Sequence, residues 1–256
     1  MKDHLGRNVL LDGKPKRIIS LVPAITETMY HLGLEKEIVG RTRFCKFPED
    51  KVEHAVNVGG TKDIKLERIH DLKPDLIIAE KEENTKEIVA ALEKHYPVFV
   101  FEIQHYDDVF RTIEDIGSLT AREKEATNLI REIKAAFDEL PVNNGERVGY
   151  VIWRKPYMVV GKNTYINSLL ERLGFVNVFT EAEGRYPVVT EDDFRKANLD
   201  ELFLATEPFP FREKHIEEFA VFLPDVKIRI VDGEMFWYGA KMLQATTYFG
   251  TFRDNP

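Results

Sequence analysis

Short apolar runs alternating with helical patterns recur along this chain, and they constrain its fold more tightly than any other feature. Arg17-Ile18-Ile19-Ser20-Leu21-Val22 suits a buried strand, and Pro23 follows where its missing N–H costs nothing, in the first turn of a helix. Ile25, Met29 and Leu32 then share one helical face, and Gly33 can close that helix in the left-handed conformation. Ile38-Val39-Gly40 reads as a second strand, and Val56-Asn57-Val58 as a third that exits through Gly59-Gly60-Thr61-Lys62. Leu66 to Leu72 forms a short helix broken by Pro74-Asp75, and Leu76-Ile77-Ile78-Ala79-Glu80 is a strong buried strand. A helix from Thr85 to Lys94 and a strand from Pro97 to Phe101 complete the pattern. The order β-α-β-β-α-β-α-β predicts a mostly parallel sheet with helices on both faces.

From Asp107 to Leu140 the apolar residues Val109, Phe110, Ile113 and Ile116, then Leu129, Ile130, Ile133, Ala136, Phe137 and Leu140, recur at helical spacing. Gly117-Ser118-Leu119 interrupts the run, and Thr120 with Glu123 reads as a capping box that opens a fresh helix. The first piece, about Asp107 to Gly117, is expected to pack on the first lobe. The second, from Ala121 to Leu140 and about 30 Å long, is expected to bridge two lobes. Pro141-Val142-Asn143-Asn144-Gly145 is the clearest boundary. Beyond it come a strand at Arg147–Trp153, a hairpin partner at Met158–Gly161 and a helix at Tyr165–Leu173. A short helix capped by Thr190 precedes a strand at Leu202–Ala205, a helix at Ile216–Phe222, a strand at Val226–Val231 and a last helix from Ala240. The expected organisation is an N-terminal α/β lobe over 1–106, a helical segment over 107–140 and a C-terminal α/β lobe over 141–256. A weak internal repeat agrees, since Leu66-Glu67-Arg68-Ile69 with Leu72 to Glu80 is echoed by Glu191-Asp192-Asp193-Phe194 with Asn198 to Glu207.

The 256 residues, 43% of them hydrophobic, suffice for two such cores. A net charge of −8 excludes a general nucleic-acid or anionic-membrane surface. One cysteine, Cys45, excludes an internal disulfide and any Cys-x-x-Cys site. No apolar run has the length of a membrane span, and the N-terminus carries no secretory leader, so the chain as written is expected to stay in the cytoplasm.

Phosphate-loop, dinucleotide, nucleophile-elbow and His-Glu-x-x-His signatures are missing, and the seven histidines do not fall at ligand spacing. The remaining candidates are aromatic and polar residues at strand exits, where open α/β sheets bind ligands. In the first lobe these are Pro23, Thr26, Arg43, Phe44, Cys45 and Thr61. In the second they are Trp153, Arg154 and Tyr157, then Tyr186, then Phe236 and Trp237. Aromatic rings beside arginines can hold a large planar ligand by stacking and charge. Cys45, with no histidine near it in sequence, reads as a small buried apolar residue in a loop that carries other candidates. Glu67 and Asp192 open matching helices, one per lobe, where they could meet arginines of a partner.

Across nearly its whole length the chain resembles the substrate-binding proteins of bacterial ABC importers for vitamin B12, haem and ferric siderophores, the helical-backbone metal receptor type. The resemblance is carried by Arg17-Ile18-Ile19-Ser20-Leu21-Val22-Pro23-Ala24-Ile25-Thr26-Glu27, by Leu66-Glu67-Arg68-Ile69 with Leu72-Lys73-Pro74-Asp75-Leu76-Ile77, and by Val188-Val189-Thr190-Glu191-Asp192. Gly40-Arg41-Thr42-Arg43-Phe44-Cys45 and Glu207-Pro208-Phe209-Pro210-Phe211 look like the cobalamin-binding branch.

The resemblance implies a class III periplasmic-binding-protein-like α/β fold: two Rossmann-like lobes with mostly parallel central sheets, joined by a long backbone helix. It implies a non-enzymatic, monomeric protein that holds a corrinoid, ferric siderophore or haem between its lobes and delivers it to an ABC permease. No intrinsic cofactor, metal site, catalytic residue, nucleic-acid partner or direct membrane insertion is implied, and the location would be the periplasm or cell surface. Glu67 and Asp192 would dock on permease arginines, and the cleft aromatics would fall at Tyr186, Phe236 and Trp237. An aspartate stands where the family has its second glutamate, and Thr61 where a cleft tryptophan is expected. The alternative is a cytoplasmic enzyme or metallocofactor-handling protein on the same scaffold.

Overall fold

The computed structural model describes residues 1–252, so the last residues of the expected C-terminal lobe lie outside it. The backbone gathers into two compact units. The first comprises Met1–Ile103, Asp107–Ala135 and Tyr238–Lys241, and the second comprises Gln104–Tyr106, Ala136–Trp237 and the chain from Met242 onward.

In the first unit the elements run β1 (Ile18–Ser20), α1 (Pro23–His31), β2 (Ile38–Arg41), β3 (Val56–Asn57), α2 (Leu66–Leu72), β4 (Leu76–Glu80), α3 (Lys86–Leu92) and β5 (Val98–Phe101). The strands form one parallel sheet in the order β3-β2-β1-β4-β5. Every residue of β1, β4 and β5 is buried, as expected of parallel strands covered on both sides. The order reverses between β1 and β4, so the crevice at their carboxyl ends is the position at which such sheets take ligands.

Two helices follow, α4 (Tyr106–Thr120) and α5 (Glu123–Asp138). The helical stretch is divided as expected, but at a different place. Gly117 lies inside α4, where an added Cβ would stand 2.7 Å from the Ala126 Cβ, so this glycine permits close approach of the two helices rather than breaking one. The break falls at Ala121, whose φ of 53° is left-handed. Nor does the expected capping box form: the Thr120 hydroxyl turns back to the Ile116 carbonyl at 2.7 Å, and the Arg122 carbonyl accepts the first bond of α5 from Ala126. The apolar spacing was sufficient to place the buried face, and Val109, Ile113, Ile116, Leu129, Ile133 and Phe137 are all interior.

The second unit contains β6 (Arg147–Trp153), β7 (Tyr157–Val159), α6 (Tyr165–Arg172), β8 (Val176–Asn177), β9 (Val188–Val189), α7 (Glu191–Lys196), β10 (Glu201–Ala205), α8 (Glu213–Ala220), β11 (Lys227–Val231) and α9 (Lys241–Gly250). The first residue of α9 belongs to the first unit. The sheet order is β11-β10-β6-β7-β9, with β8 also on β6. The pairs β6–β10 and β10–β11 are parallel, whereas β7 runs antiparallel to β6 and β9, so this sheet is mixed.

The internal repeat has a physical counterpart. Lys73 and Asn198, at equivalent places after α2 and α7, both adopt left-handed backbone, with φ of 45° and 49°. Asp75 accepts the Arg17 N–H at 2.9 Å, and Asp200 accepts that of Arg147 at 2.7 Å. The same arginines return their Nε–H groups to carbonyls at the helix ends, those of Leu72 and Asn198, both at 2.8 Å. Each unit therefore ties the start of its central strand to the chain leaving a helix whose first turn is acidic, by the same clasp.

Candidate functional site

In the first unit the carboxyl ends of β1 and β2 hold a buried hydroxyl and thiol cluster. Thr26 donates to the Val22 carbonyl at 2.8 Å and lies 2.7 Å from Ser20 Oγ and 3.1 Å from Cys45 Sγ, while Thr42 Oγ1 is 3.2 Å from the same sulfur. Cys45 is 1% exposed, and burial pushes its thiol up against the opposing effect of the Thr26 and Thr42 hydroxyls. The thiol therefore stays protonated near neutrality. Thr26 and Cys45, expected at the ligand, instead shape the loop from within. Pro23 opens α1 as expected and is half-buried.

Outside this cluster lies the surface of the β2 exit. The Arg43 guanidinium makes a two-pronged pair with Asp63, at 2.9 and 3.0 Å, and stands 4.8 Å from the centroid of the Phe44 ring. The Arg43 contact holds the Asp63 carboxyl below its ordinary range. A Cβ on Gly60 would fall 2.0 Å from Asp63 Oδ1, so any larger residue there would displace this ion pair. With its charge matched, Arg43 offers a flat face beside the Phe44 ring, which is 44% exposed.

A third group was not singled out from sequence. At the end of β4, Glu80 is buried and accepts the N–H groups of Glu82 and Glu83 at 2.7 and 3.0 Å. Asn84 accepts the Glu80 N–H at 3.0 Å and donates to the Thr61 carbonyl at 2.9 Å, joining the exits of β3 and β4. Burial raises the Glu80 carboxyl to about 7, with the two N–H donors opposing the shift. Burial also raises Glu83, against the opposing pull of Lys62 and of a bond from the Thr61 side chain. Thr61 is thus committed to its neighbours. The sequence signal for this group was a glutamate ending an otherwise apolar buried strand.

In the second unit, Arg154 binds Glu218 of α8 through Nε at 2.9 and 3.0 Å and through Nη2 at 2.7 Å, and the Tyr157 hydroxyl donates to the same carboxylate at 2.8 Å. Burial, aided by that carboxylate, pushes the Tyr157 phenol up to about 12. The Arg154 contact holds Glu218 below its ordinary range. Trp153 leaves β6 41% exposed, edge-on to Phe209 with centroids 5.8 Å apart. Tyr186 is half-buried in a loop fixed by bonds from Val159 N to the Pro187 carbonyl and from Gly161 N to the Arg185 carbonyl. Trp237, also half-buried, donates its indole N–H to Glu207, the counterpart of Glu80 in the repeat. Phe236 departs from expectation: it is 2% exposed and packs edge-on against Tyr150 and Phe249, at 4.7 and 5.1 Å, so it is a core residue with no ring face left for a ligand.

Glu67 and Asp192 open α2 and α7 and are exposed. Among the described residues no group of three or more His, Cys, Asp or Glu side chains could hold a metal, and no helix is long and apolar enough to cross a membrane.

Several known proteins share this architecture. The periplasmic vitamin B12-binding protein BtuF of Vibrio cholerae superposes with a TM-score of 0.80 at 21% identity, over 94% of this chain and 97% of that one. The periplasmic haem-binding protein HutB of the same organism gives 0.75 at 19%, over 94% and 99%. At these identities the likeness shows the fold. In sequence, an uncharacterized ABC transporter substrate-binding lipoprotein of Bacillus subtilis, YvrC, is 27% identical over 77% of this chain, and the vitamin B12-binding protein of Vibrio campbellii is 26% identical over 70%. The match spans 66% of the length of each of these two relatives. The family model described as periplasmic binding protein matches residues 18–220, and the chain belongs to that family.

Proposed function

We propose that this chain is the substrate-binding protein of an ABC importer, that it captures a corrinoid or another large metal chelate such as haem or a ferric siderophore, and that it delivers the ligand to its permease. The chemistry is binding alone. The observation that carries the reading is the exposed Phe44 ring beside the Arg43 guanidinium, whose charge Asp63 already matches; in the second unit an exposed Trp153 ends the strand that leads into the Arg154–Glu218 pair. Flat, nearly neutral surfaces of this kind suit a large conjugated ring system better than a small anion, which would seek an unpaired guanidinium. The names of the relatives, which bind vitamin B12 and haem, support the same ligand class.

Pro23, Phe44, Trp153, Tyr186 and Trp237 are the proposed contacts, with Arg43 and Arg154 beside them and Thr26, Cys45, Thr61 and Tyr157 shaping the loops behind them. Glu67 and Asp192 are the proposed permease contacts, and a periplasmic or cell-surface location follows from the same reading. Isothermal titration with cobalamin, cobinamide, haemin and a ferric siderophore tests the proposal. At least one is expected to bind, and Trp237→Ala is expected to weaken it about tenfold or more. Absence of heat with all four would refute the ligand class.

A further inference from the structure

Glu80 ends β4 at the crevice of the first unit, and its carboxyl group is only half used. One oxygen, Oε2, accepts both N–H groups of the following turn, those of Glu82 and Glu83. These bonds hold the group over the C-terminal end of the strand. The other oxygen, Oε1, has no hydrogen-bond partner among the described residues and is not shut off from solvent, although the residue as a whole is 3% exposed. Nor does a cation face it: the charges acting on Glu80 are those of Glu82 and Glu83, both of its own sign. The cations at the β2, β3 and β4 exits are turned elsewhere, with Arg43 on Asp63, Lys62 acting on Glu83, and Lys81 on Glu102. A ligand that covers Oε1 without donating to it would leave a buried acceptor unsatisfied, which is costly.

The same loops carry the exposed ring. Asn84 ties Glu80 to the Thr61 carbonyl, and Asp63, two residues further on, holds Arg43 beside Phe44. The aromatic face and the open carboxyl oxygen thus belong to one bonded set of loops. The ligand classes proposed above differ at their rims. A corrin carries carboxamides, each with N–H donors and an acceptor oxygen, whereas haem carries carboxylates, which only accept. An amide satisfies Glu80 in either protonation state, donating to the carboxylate or accepting from the acid. A carboxylate is repelled by the ionised group.

We propose that Oε1 of Glu80 binds a carboxamide on the rim of the ligand, and so selects an amide-bearing corrinoid over a ring system that carries carboxylates. The inference rests on the metal-chelate reading above and narrows it to one ligand class. Burial places the Glu80 carboxyl at about 7, so the group is mostly charged at pH 8 and its discrimination is strongest there.

The test compares two ligands built on one ring: dicyanocobinamide, whose rim bears carboxamides, and dicyanocobyrinic acid, the same corrin with carboxylates in their place. Titration calorimetry of the full chain at pH 8 is expected to show cobinamide bound about tenfold or more tightly than the acid. Glu80→Gln keeps an acceptor oxygen and adds N–H donors to which a carboxylate can bond. It is expected to cut the ratio to about threefold or less, chiefly by strengthening the acid, whereas a merely loosened loop would weaken both ligands alike. Haemin and a ferric siderophore are the remaining arms. Affinities of the two corrinoids within twofold of each other or reversed, a ratio unchanged by Glu80→Gln, or binding of haemin or the siderophore without either corrinoid would each overturn the assignment and leave the metal-chelate reading in place. Binding of none of the four would overturn that reading, and the assignment with it.

Discussion

Replacing Glu80 by Gln should change how the stability of this protein depends on pH. In the folded chain burial holds the Glu80 carboxyl near 7, against an ordinary value of 4.5. Between those two values the folded state keeps a proton that the unfolded chain releases. Stability from this group is therefore greatest below about 4.5, falls as pH rises, and is fully lost once pH passes about 7. At about 1.4 kcal/mol per unit, the loss amounts to about 3 kcal/mol. Gln retains an oxygen to accept the Glu82 and Glu83 N–H groups but cannot ionise, so the stability of the variant relative to the unsubstituted chain should rise by that amount from pH 4.5 to 8. Glu83 is also raised by burial and its charge adds to the Glu80 shift, so the difference reports Glu80 ionisation together with its coupling to Glu83. Urea unfolding at half-unit pH steps measures the effect. Parallel stability curves for the two proteins would show that Glu80 ionises normally and that its burial carries no such cost.

Two further perturbations test the packing. Gly117→Ala should destabilise by about 1–2 kcal/mol even though alanine is the better helix former, because overpacking exceeds the propensity gain. Ala126→Gly should cost about 1 kcal/mol alone through helix propensity and less than that in the Gly117→Ala background, and equal costs in both would show that the 2.7 Å approach is not the cause. Lys241, buried at 2% exposure, pairs with Glu27 at 3.1 Å and lies 3.6 Å from the centroid of the Phe47 ring. Lys241→Ala should cost about 3 kcal/mol in chemical unfolding, since it removes the buried cation that faces the Glu27 carboxylate and the Phe47 ring; a cost below about 1 kcal/mol would argue against that account.

The alternation of strands and helices was legible because fully buried parallel strands must be continuous apolar runs, and the order β1 to β5 followed from them. The two-residue strands β8 and β9 were not legible, since two residues carry no period; β3, equally short, was read only because Gly59-Gly60 marks its exit. Gly117 was misread because a glycine within a helical pattern marks either an end or a close approach, and only the identity of the opposing residue, Ala126, distinguishes them. At the strand exits, sequence located the loops but not which way their side chains turn. Phe44 and Phe236 are both aromatics in loops after strands, yet one is 44% exposed and the other 2%. Arg43 and Arg154 were identified as charged contacts, whereas their carboxylate partners, Asp63 and Glu218, lie 20 and 64 residues away and become visible only in three dimensions.

The segment Tyr238–Lys241 belongs to the first unit although the chain around it belongs to the second. It is sewn onto α1: the Ala240 N–H donates to Thr28 Oγ1 at 3.0 Å, and a Cβ on Gly239 would lie 2.0 Å from that oxygen. No single cut therefore releases the first unit intact. A fragment ending at residue 135 would leave Thr28 without its donor and Glu27 without Lys241. On a ribosome, the first unit would wait for residue 241, more than a hundred residues after the rest of it has emerged, before its own surface is closed.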